Sequence, residues 1–249
     1  QAYGGEVSYR LGTGFRAFAT FSREVTRPGQ YGLRLVPGTG RQRVAGAEGW
    51  FAGLGVRYQR LDRGVNPSRG FVLTTNLEGG RKQRTDTRVA AGDTTLDRAV
   101  LRQQRLRAEA RAYVPTLRRQ VFVAGLDASV LLSDVYDRSD LFRFGGARTL
   151  RGYNEEAFLG RIVGRALAEY RYQLDRTSYT YLFVDLGYVD RPAIGDELEA
   201  LRGLHPGYGL GIQFQTNLGL VNVSAGFNPD DGPTAAWAEE PQEPAAFDL

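Results

Sequence analysis

A chain of 249 residues with no cysteine and a single histidine, His205, lacks the thiols for a disulfide framework and the clustered donors of a zinc site, so neither metal nor cofactor is expected. Its formal charge of +4 comes from 32 Lys and Arg interleaved with 28 Asp and Glu rather than gathered in one patch, which argues against nucleic acid as a partner. No apolar run approaches the roughly 18 residues of a membrane helix, but that test, like the mean hydropathy of −0.36, is blind to strands whose side chains alternate between lipid and lumen.

Glycine, at 32 residues, and an aromatic content of 11% favour strands and tight turns over helices. In chain order, strands are predicted over residues 5–11, 15–25, 49–60, 71–82, 103–114, 120–133, 161–174, 179–188, 208–216 and 219–227. Alternation is cleanest in the later ones. In 103–114, Leu106, Ala108, Ala110 and Ala112 oppose Arg105, Arg107, Glu109 and Arg111; in 161–174, Ala166, Ala168, Tyr170 and Tyr172 oppose Arg165, Glu169, Arg171 and Gln173. In 179–188, Leu182, Val184, Leu186 and Tyr188 lie opposite Asp185 and Gly187. A period of two specifies a sheet with one apolar and one polar face. Most of these runs are about ten residues long, enough to cross a bilayer at a tilt, whereas soluble strands are nearer five or six.

The connections sort by length. Those at 12–14, 115–119, 175–178 and 217–218 are short, 61–70 is intermediate, and 26–47, 83–102, 134–160 and 190–207 are long. Outer-membrane barrels keep short turns on the periplasmic side and long loops outside, and a soluble β-sandwich has no reason to do so. The expected fold is therefore all-β, an antiparallel transmembrane β-barrel with about ten to twelve strands in this chain. Tyr and Trp near strand ends, among them Trp50, Tyr58, Tyr170 and Tyr172, suit interfacial girdles. With short turns periplasmic, the segment 5–11 runs inward, so an even strand count needs a strand before Gln1, as in the C-terminal part of a larger barrel. Residues 1–233 are assigned to the barrel and 234–249 to a divergent tail. There Pro241, Pro244 and three glutamates are expected to break any ladder, leaving 245–249 as a possible last-strand remnant.

The longest loop contains LFRFGGARTLRGYNEEAFLG over 141–160. Phe144, Gly145 and Gly146, followed by Leu150, Arg151, Gly152 and Tyr153, resemble the lumen-inserted loop of the BamA/TamA family of bacterial outer-membrane assembly barrels. Asn66-Pro67-Ser68-Arg69-Gly70 resembles that family's turn before a strand, and Ala168-Glu169-Tyr170-Arg171-Tyr172 its strand after the loop. Phe183-Val184-Asp185-Leu186-Gly187 and Gly207-Tyr208-Gly209-Leu210-Gly211 resemble the next two strands. The resemblance covers about residues 51–227. It implies a non-enzymatic role in inserting or translocating proteins, or lipids, at the bacterial outer membrane. The implied surroundings are outer-membrane lipid, unfolded outer-membrane protein clients and periplasmic partners. The alternative is a barrel that anchors, or serves as a pore for, a partner domain outside this chain.

The resemblance also implies that the loop arginine pairs with acidic residues on the wall, and the residues themselves admit the same arrangement. Glu169 and Asp185 are odd-numbered members of two strands joined by a short turn. A turn centred near Thr177 would set them directly opposite each other on one face. Two facing carboxylates repel unless a cation lies between them, and the Arg151 guanidinium can bond to both. Gly145, Gly146 and Gly152 would let the loop turn sharply and approach the wall. Two other readings stand: a catalytic acid/base pair, or solvated charges in a wide lumen. No Gly-x-Ser-x-Gly elbow, phosphate-binding Gly-Lys loop or His-x-x-x-His accompanies them. Arg57, Arg105, Arg107, Arg111, Arg165 and Arg171 are expected to balance Glu109, Asp127 and Glu169 within the wall, and His205, beside Pro206, to be an ordinary loop residue.

Overall fold

Branched and aromatic residues alternating with polar ones build the wall. The computed structural model describes residues 2–26, 33–36, 40–90, 93–195, 198–216, 219–229 and 232–240. The strands are β1 (Ala2–Gly12), β2 (Phe15–Thr26), β3 (Leu33–Val36), β4 (Gly40–Leu61), β5 (Gly70–Ala90), β6 (Asp93–Pro115), β7 (Gln120–Ser133), β8 (Phe142–Phe144), β9 (Phe158–Gly160), β10 (Ile162–Gln173), β11 (Tyr179–Arg191), β12 (Leu201–Thr216), β13 (Gly219–Asn228) and β14 (Gly232–Glu240). Among the described residues, twelve strands form one sheet in the order β1-β2-β4-β5-β6-β7-β10-β11-β12-β13-β14, with β3 paired to β4; β8 and β9 form a separate hairpin. Each neighbour pair is antiparallel, as hairpins joined in sequence must be.

The faces separate as the alternation requires. In β7, Val121, Val123 and Leu131 are buried while Phe122, Leu126 and Leu132 are exposed. In β11, Leu182, Val184 and Leu186 lie on the exposed face, and Tyr179, Tyr181, Phe183 and Asp185 on the buried one. The inward face of β11 is thus not simply polar: three aromatic rings run along it in tilted contact. Large exposed apolar rows would be a liability in water, but they match a hydrocarbon environment.

The sheet curls strongly. Arg105 on β6 reaches Glu24 on β2 at 2.5 and 2.9 Å, across β5 and β4. On a flat sheet those strands would lie about 14 Å apart, so only a wall bent toward its own interior lets the two side chains meet. Tyr181 on β11 likewise donates its hydroxyl to Asn222 on β13 at 2.6 Å, over the intervening β12.

Several boundaries depart from expectation. Strands β4, β5 and β6 have 22, 21 and 23 residues, and the expected long loop at 83–102 is a ladder running from Gln83↔Val100 to Ala90↔Asp93. A strand that continues beyond the bilayer no longer needs one apolar face, so its period-two signal fades while the ladder persists. Strand β12 begins at Leu201, placing His205 and Pro206 inside the sheet rather than in a loop. The expected ladder break in the tail is corrected as far as Glu240. Strand β14 pairs with β13 from Asn228↔Gly232 to Leu220↔Glu240. Pro233 stands at the start of that strand, where a missing donor is tolerated, and Glu239 and Glu240 pair within it; the break expected at Pro241 and Pro244 lies outside the described residues. The suggested remnant at 245–249 lies outside the described residues.

Candidate functional site: the lumen loop and its wall

Between β7 and β10 the chain leaves the wall and folds across the interior. Its first part is held by a buried cluster. A 3-10 turn at Arg138–Asp140 places Asp140 beside Lys82 of β5, whose Nζ donates to it at 2.5 Å. Gln103 of β6 donates to the other Asp140 oxygen at 2.9 Å. Asp137 accepts from Lys82 at 3.1 Å and from Arg84 at 2.7 Å. Lys82, Gln103 and Asp140 are all buried, and each charge has a partner, as burial demands.

The chain then pairs with itself through β8 and β9 and tightens between them. Gly145, Gly146 and Gly152 have φ of 122°, 100° and 93°, in the region that favours glycine. Thr149 Oγ1 accepts from Gly145 N at 2.8 Å, and Gly146 N donates to Leu150 O at 3.1 Å. This turn projects Leu150, Arg151 and Tyr153 toward the wall. Leu150 is fully buried in a cluster with Phe144, Tyr153, Val163 and Val189.

Arg151 is placed among three wall residues. Its Nε and Nη2 donate to the two oxygens of Asp185 at 2.8 and 2.6 Å, and its Nη1 donates to Glu169 at 2.6 Å. Its backbone N–H adds a further bond to Asp185 at 3.2 Å. The guanidinium lies over the Phe183 ring, 3.9 Å from its centroid. The register corrects the expected opposition of the carboxylates. Glu169 faces Phe183, and Asp185 faces Leu167 across that ladder. The β10–β11 turn is centred on Arg176, because Leu174 N and Asp175 N both donate to Ser178 O. The carboxylates are therefore diagonal neighbours on one face. Diagonal pairs stand several ångströms further apart than opposed ones, which leaves the width of a guanidinium between them. Asp185 is completely buried and Glu169 nearly so, so the solvated alternative does not describe them. Burial opposes the Arg151 charge, but the hydrogen bond to Asp185 and the charges of Glu169 and Asp185 outweigh it and push the guanidinium pKa up.

The pair is part of a longer chain of charges. Arg111 and Arg165 both bond to Asp127 at 2.6 Å, Arg165 comes within 3.7 Å of Asp185, Arg151 joins Asp185 to Glu169, and Arg171 bonds to Glu169 at 2.7 Å. Four guanidiniums and three carboxylates thus alternate along β6, β7, β10, the loop and β11. Arg105 is balanced differently from expectation, by Glu24 of β2, and Arg107 stands 3.4 Å from Glu78. Beside this chain, a cavity of about 500 Å³ lies between the loop hairpin and the wall, reaching Glu6, Arg107, Asp127, Arg143 and Arg148.

Some residues of the docking surface carried no assignment in the sequence. Gly207 faces Asp185 on the adjoining ladder, and a Cβ there would stand 1.9 Å from Arg151 O. Gly226 similarly admits Gly152, and Gly187 admits Leu150. Asn228 donates to Gly152 O at 2.5 Å, and the Tyr153 hydroxyl donates to Pro206 O at 3.1 Å. His205 stacks on Phe158 at 4.2 Å between centroids and meets the Tyr153 ring edge-on at 6.0 Å. The expectation of an ordinary loop histidine is corrected: it is a strand residue against which the loop packs. A glycine on an inward face opposite a lone carboxylate was the available signal.

The Omp85 superfamily domain matches residues 46–237, well over half of the chain. Among solved structures, the chain is similar to BamA of Haemophilus ducreyi lacking POTRA domains 1–3, with TM-score 0.63, 15% identity, and coverage of 96% of this chain and 52% of that one. It is also similar to CdiB from Escherichia coli, with TM-score 0.51, 14% identity, and coverage of 95% and 52%. At these identities the likeness is one of fold, and the chain spans about half the length of either structure. No curated protein sequence matches it. The matched domain, the curled antiparallel wall and the loop folded across its interior agree with the resemblance drawn from the quoted segments: this chain belongs to the Omp85 superfamily and is a transmembrane β-barrel of the bacterial outer membrane.

Proposed function

We propose that the chain is the membrane barrel of a BamA/TamA-type assembly protein, assisting the insertion or translocation of proteins at the outer membrane by a non-enzymatic mechanism. The observation that carries this is the loop locked across the interior by Arg151, Asp185 and Glu169. A loop that buries Leu150 and Tyr153 against the wall narrows the lumen and ties its strands together, which suits a barrel that must hold its wall in register while clients engage it better than a freely conducting pore. On this reading the loop is a brace, Arg151 its fastening, and unfolded outer-membrane proteins and periplasmic partners are what the barrel meets. Lipid insertion is the second form of the same activity, and the carboxylates act as structural anions rather than as an acid/base pair.

The test is client folding. The full chain is reconstituted in vesicles and an unfolded outer-membrane protein added, with wild-type barrel, Arg151→Ala barrel and empty vesicles compared. Faster client folding with wild type, reduced in the variant, is the expected result. Equal rates in all three would overturn the proposal in favour of the anchor reading. A large ion conductance unaffected by Arg151→Ala would favour a pore.

A further inference from the structure

The periplasmic rim has a charge pattern that neither the loop nor the wall explains. Three hairpin turns that follow one another in sheet order, β4–β5, β6–β7 and β10–β11, carry Arg60, Arg69, Arg118, Arg119 and Arg176, all exposed. The six strands they join cover an arc of about 24 Å. In the sequence of these turns the only carboxylates are Asp62 and Asp175, and both are engaged by their own turns. Asp62 accepts from the backbone N–H of Ser68 at 2.9 Å and of Arg69 at 3.0 Å, and from Arg63. Asp175 accepts from Thr177 N and Ser178 N, each at 2.7 Å. The five exposed arginines form no ion pair among the described residues.

Their neighbours show which way the arc faces. Arg60 is two residues beyond Tyr58 on the outward face of β4, and its Cα partner on β5 is Phe71, which also faces outward. Phe15, Tyr58 and Phe71 form an outward aromatic row with centroids 6.4 and 6.5 Å apart. Leu117, next to Arg118, is 68% exposed, and Leu174, two residues from Arg176, is exposed as well. A leucine held out from a turn beside arginines is costly in water and well placed where acyl chains meet headgroups. Leu174 continues the outward face of Tyr170 and Tyr172, as Arg60 does that of Tyr58, so this apolar surface points toward lipid rather than down into the periplasm where an acidic protein would dock.

We propose that this arc is a binding surface for the anionic phospholipids of the inner leaflet, with the guanidiniums of Arg60, Arg69, Arg118, Arg119 and Arg176 bonding to headgroup phosphodiesters. The planar guanidinium matches a phosphate with paired hydrogen bonds, and the exposed Leu117 and Leu174 enter the acyl boundary beside it. Lipid held there would fix the depth and tilt of the wall on the β4–β11 side. The proposal rests on reading the short turns as periplasmic, and does not depend on what the barrel assembles.

The full chain is folded into vesicles of phosphatidylcholine alone or mixed with phosphatidylglycerol, at low and high salt, and retained lipid is counted by native mass spectrometry. Preferential retention of phosphatidylglycerol by wild type, lost at high salt and weakened roughly five-fold per arginine removed in Arg118→Gln and Arg176→Gln, is expected. Arg118→Lys and Arg176→Lys should keep most of it. Equal retention of the two lipids by wild type overturns the proposal even if the glutamine variants do not fold. So does a preference that survives the glutamine substitutions. Binding of polyglutamate in neutral vesicles, with no response to phosphatidylglycerol, overturns it in favour of an acidic protein partner. A barrel indifferent to phosphatidylglycerol that still accelerates client folding removes the lipid surface and leaves the proposed function standing.

Discussion

Truncating Arg151 would leave Asp185, with no solvent exposure, sharing a single distant arginine, since Arg165 approaches it only to 3.7 Å. Glu169 would keep Arg171. Breaking a buried ion pair from one side costs about 3–5 kcal/mol, because the surviving charge stays desolvated. Arg151→Ala is expected to lose that much, read as a lower urea midpoint of the folded gel band. Arg151→Lys should recover only part, since an ammonium cannot supply the paired donors to Asp185, the bond to Glu169 and the flat contact on Phe183 together. At the other end of the same hairpin, Asp175 is a pH-sensitive turn residue. Backbone N–H bonds from Thr177 and Ser178 hold its carboxyl at about 2, below the ordinary 3.8. A lowered folded-state pKa contributes stability that is complete above the ordinary value and lost as pH falls toward about 2. Asp175→Asn should therefore flatten that part of the stability profile while leaving the neutral-pH structure intact. Identical acid profiles for the two proteins would refute the assignment.

Hairpin β10–β11 meets the loop only because β12 and β13 make room for it. Gly207→Ala would put a methyl group into Arg151 O, and backbone cannot yield as a flexible side chain can. Overpacking of this kind costs about 1–3 kcal/mol. The wall should survive while the loop is displaced, so protease cleavage should appear within 141–160 without loss of the folded band. The same hairpin shows what was legible in the sequence. Parity alone put Glu169, Asp185 and the inward glycines on one face, and Arg151 was the one loop cation the motif singled out. The two-residue error in register came from placing the turn centre at Thr177, where the Asp175 side chain and the Ser178 carbonyl instead close the turn around Arg176. Gly207 was legible as an inward glycine, but not what fills the space beside it, because that depends on a loop more than fifty residues earlier. The extensions of β4, β5 and β6 were invisible for another reason: alternation records a one-sided environment, and a strand outside the bilayer has none.

For the barrel as a whole, the loop is fastened at two separate places. Its first turn is tied by Asp137 and Asp140 to Lys82 and Gln103 on β5 and β6, and its tip by Arg151 and Gly152 to β10, β11 and β13. Along the sheet those attachment points are separated by β7 on one side and span as far as β13 on the other, so the loop crosses the interior rather than lining one strand. Two tethered contacts act as a bivalent attachment: while one holds, the other re-forms at a high effective concentration. Lys82→Met removes the one cation shared by Asp137 and Asp140, weakening the first fastening to the bonds from Arg84 and Gln103 while leaving the second intact, and is expected to expose residues 134–141 to protease while the tip stays protected. Arg151→Ala alone should loosen the tip but leave the base anchored. The double variant should release the whole loop to an extent well beyond the product of the single effects. Hydrogen exchange across 134–160 measures this directly. Single effects that simply multiply would mean the two ends move independently and the loop is not a brace. A coupled release would tie the wall on the β5–β6 side to the wall on the β11–β13 side through one segment, so a client or partner that pulls on either side would be felt at the other.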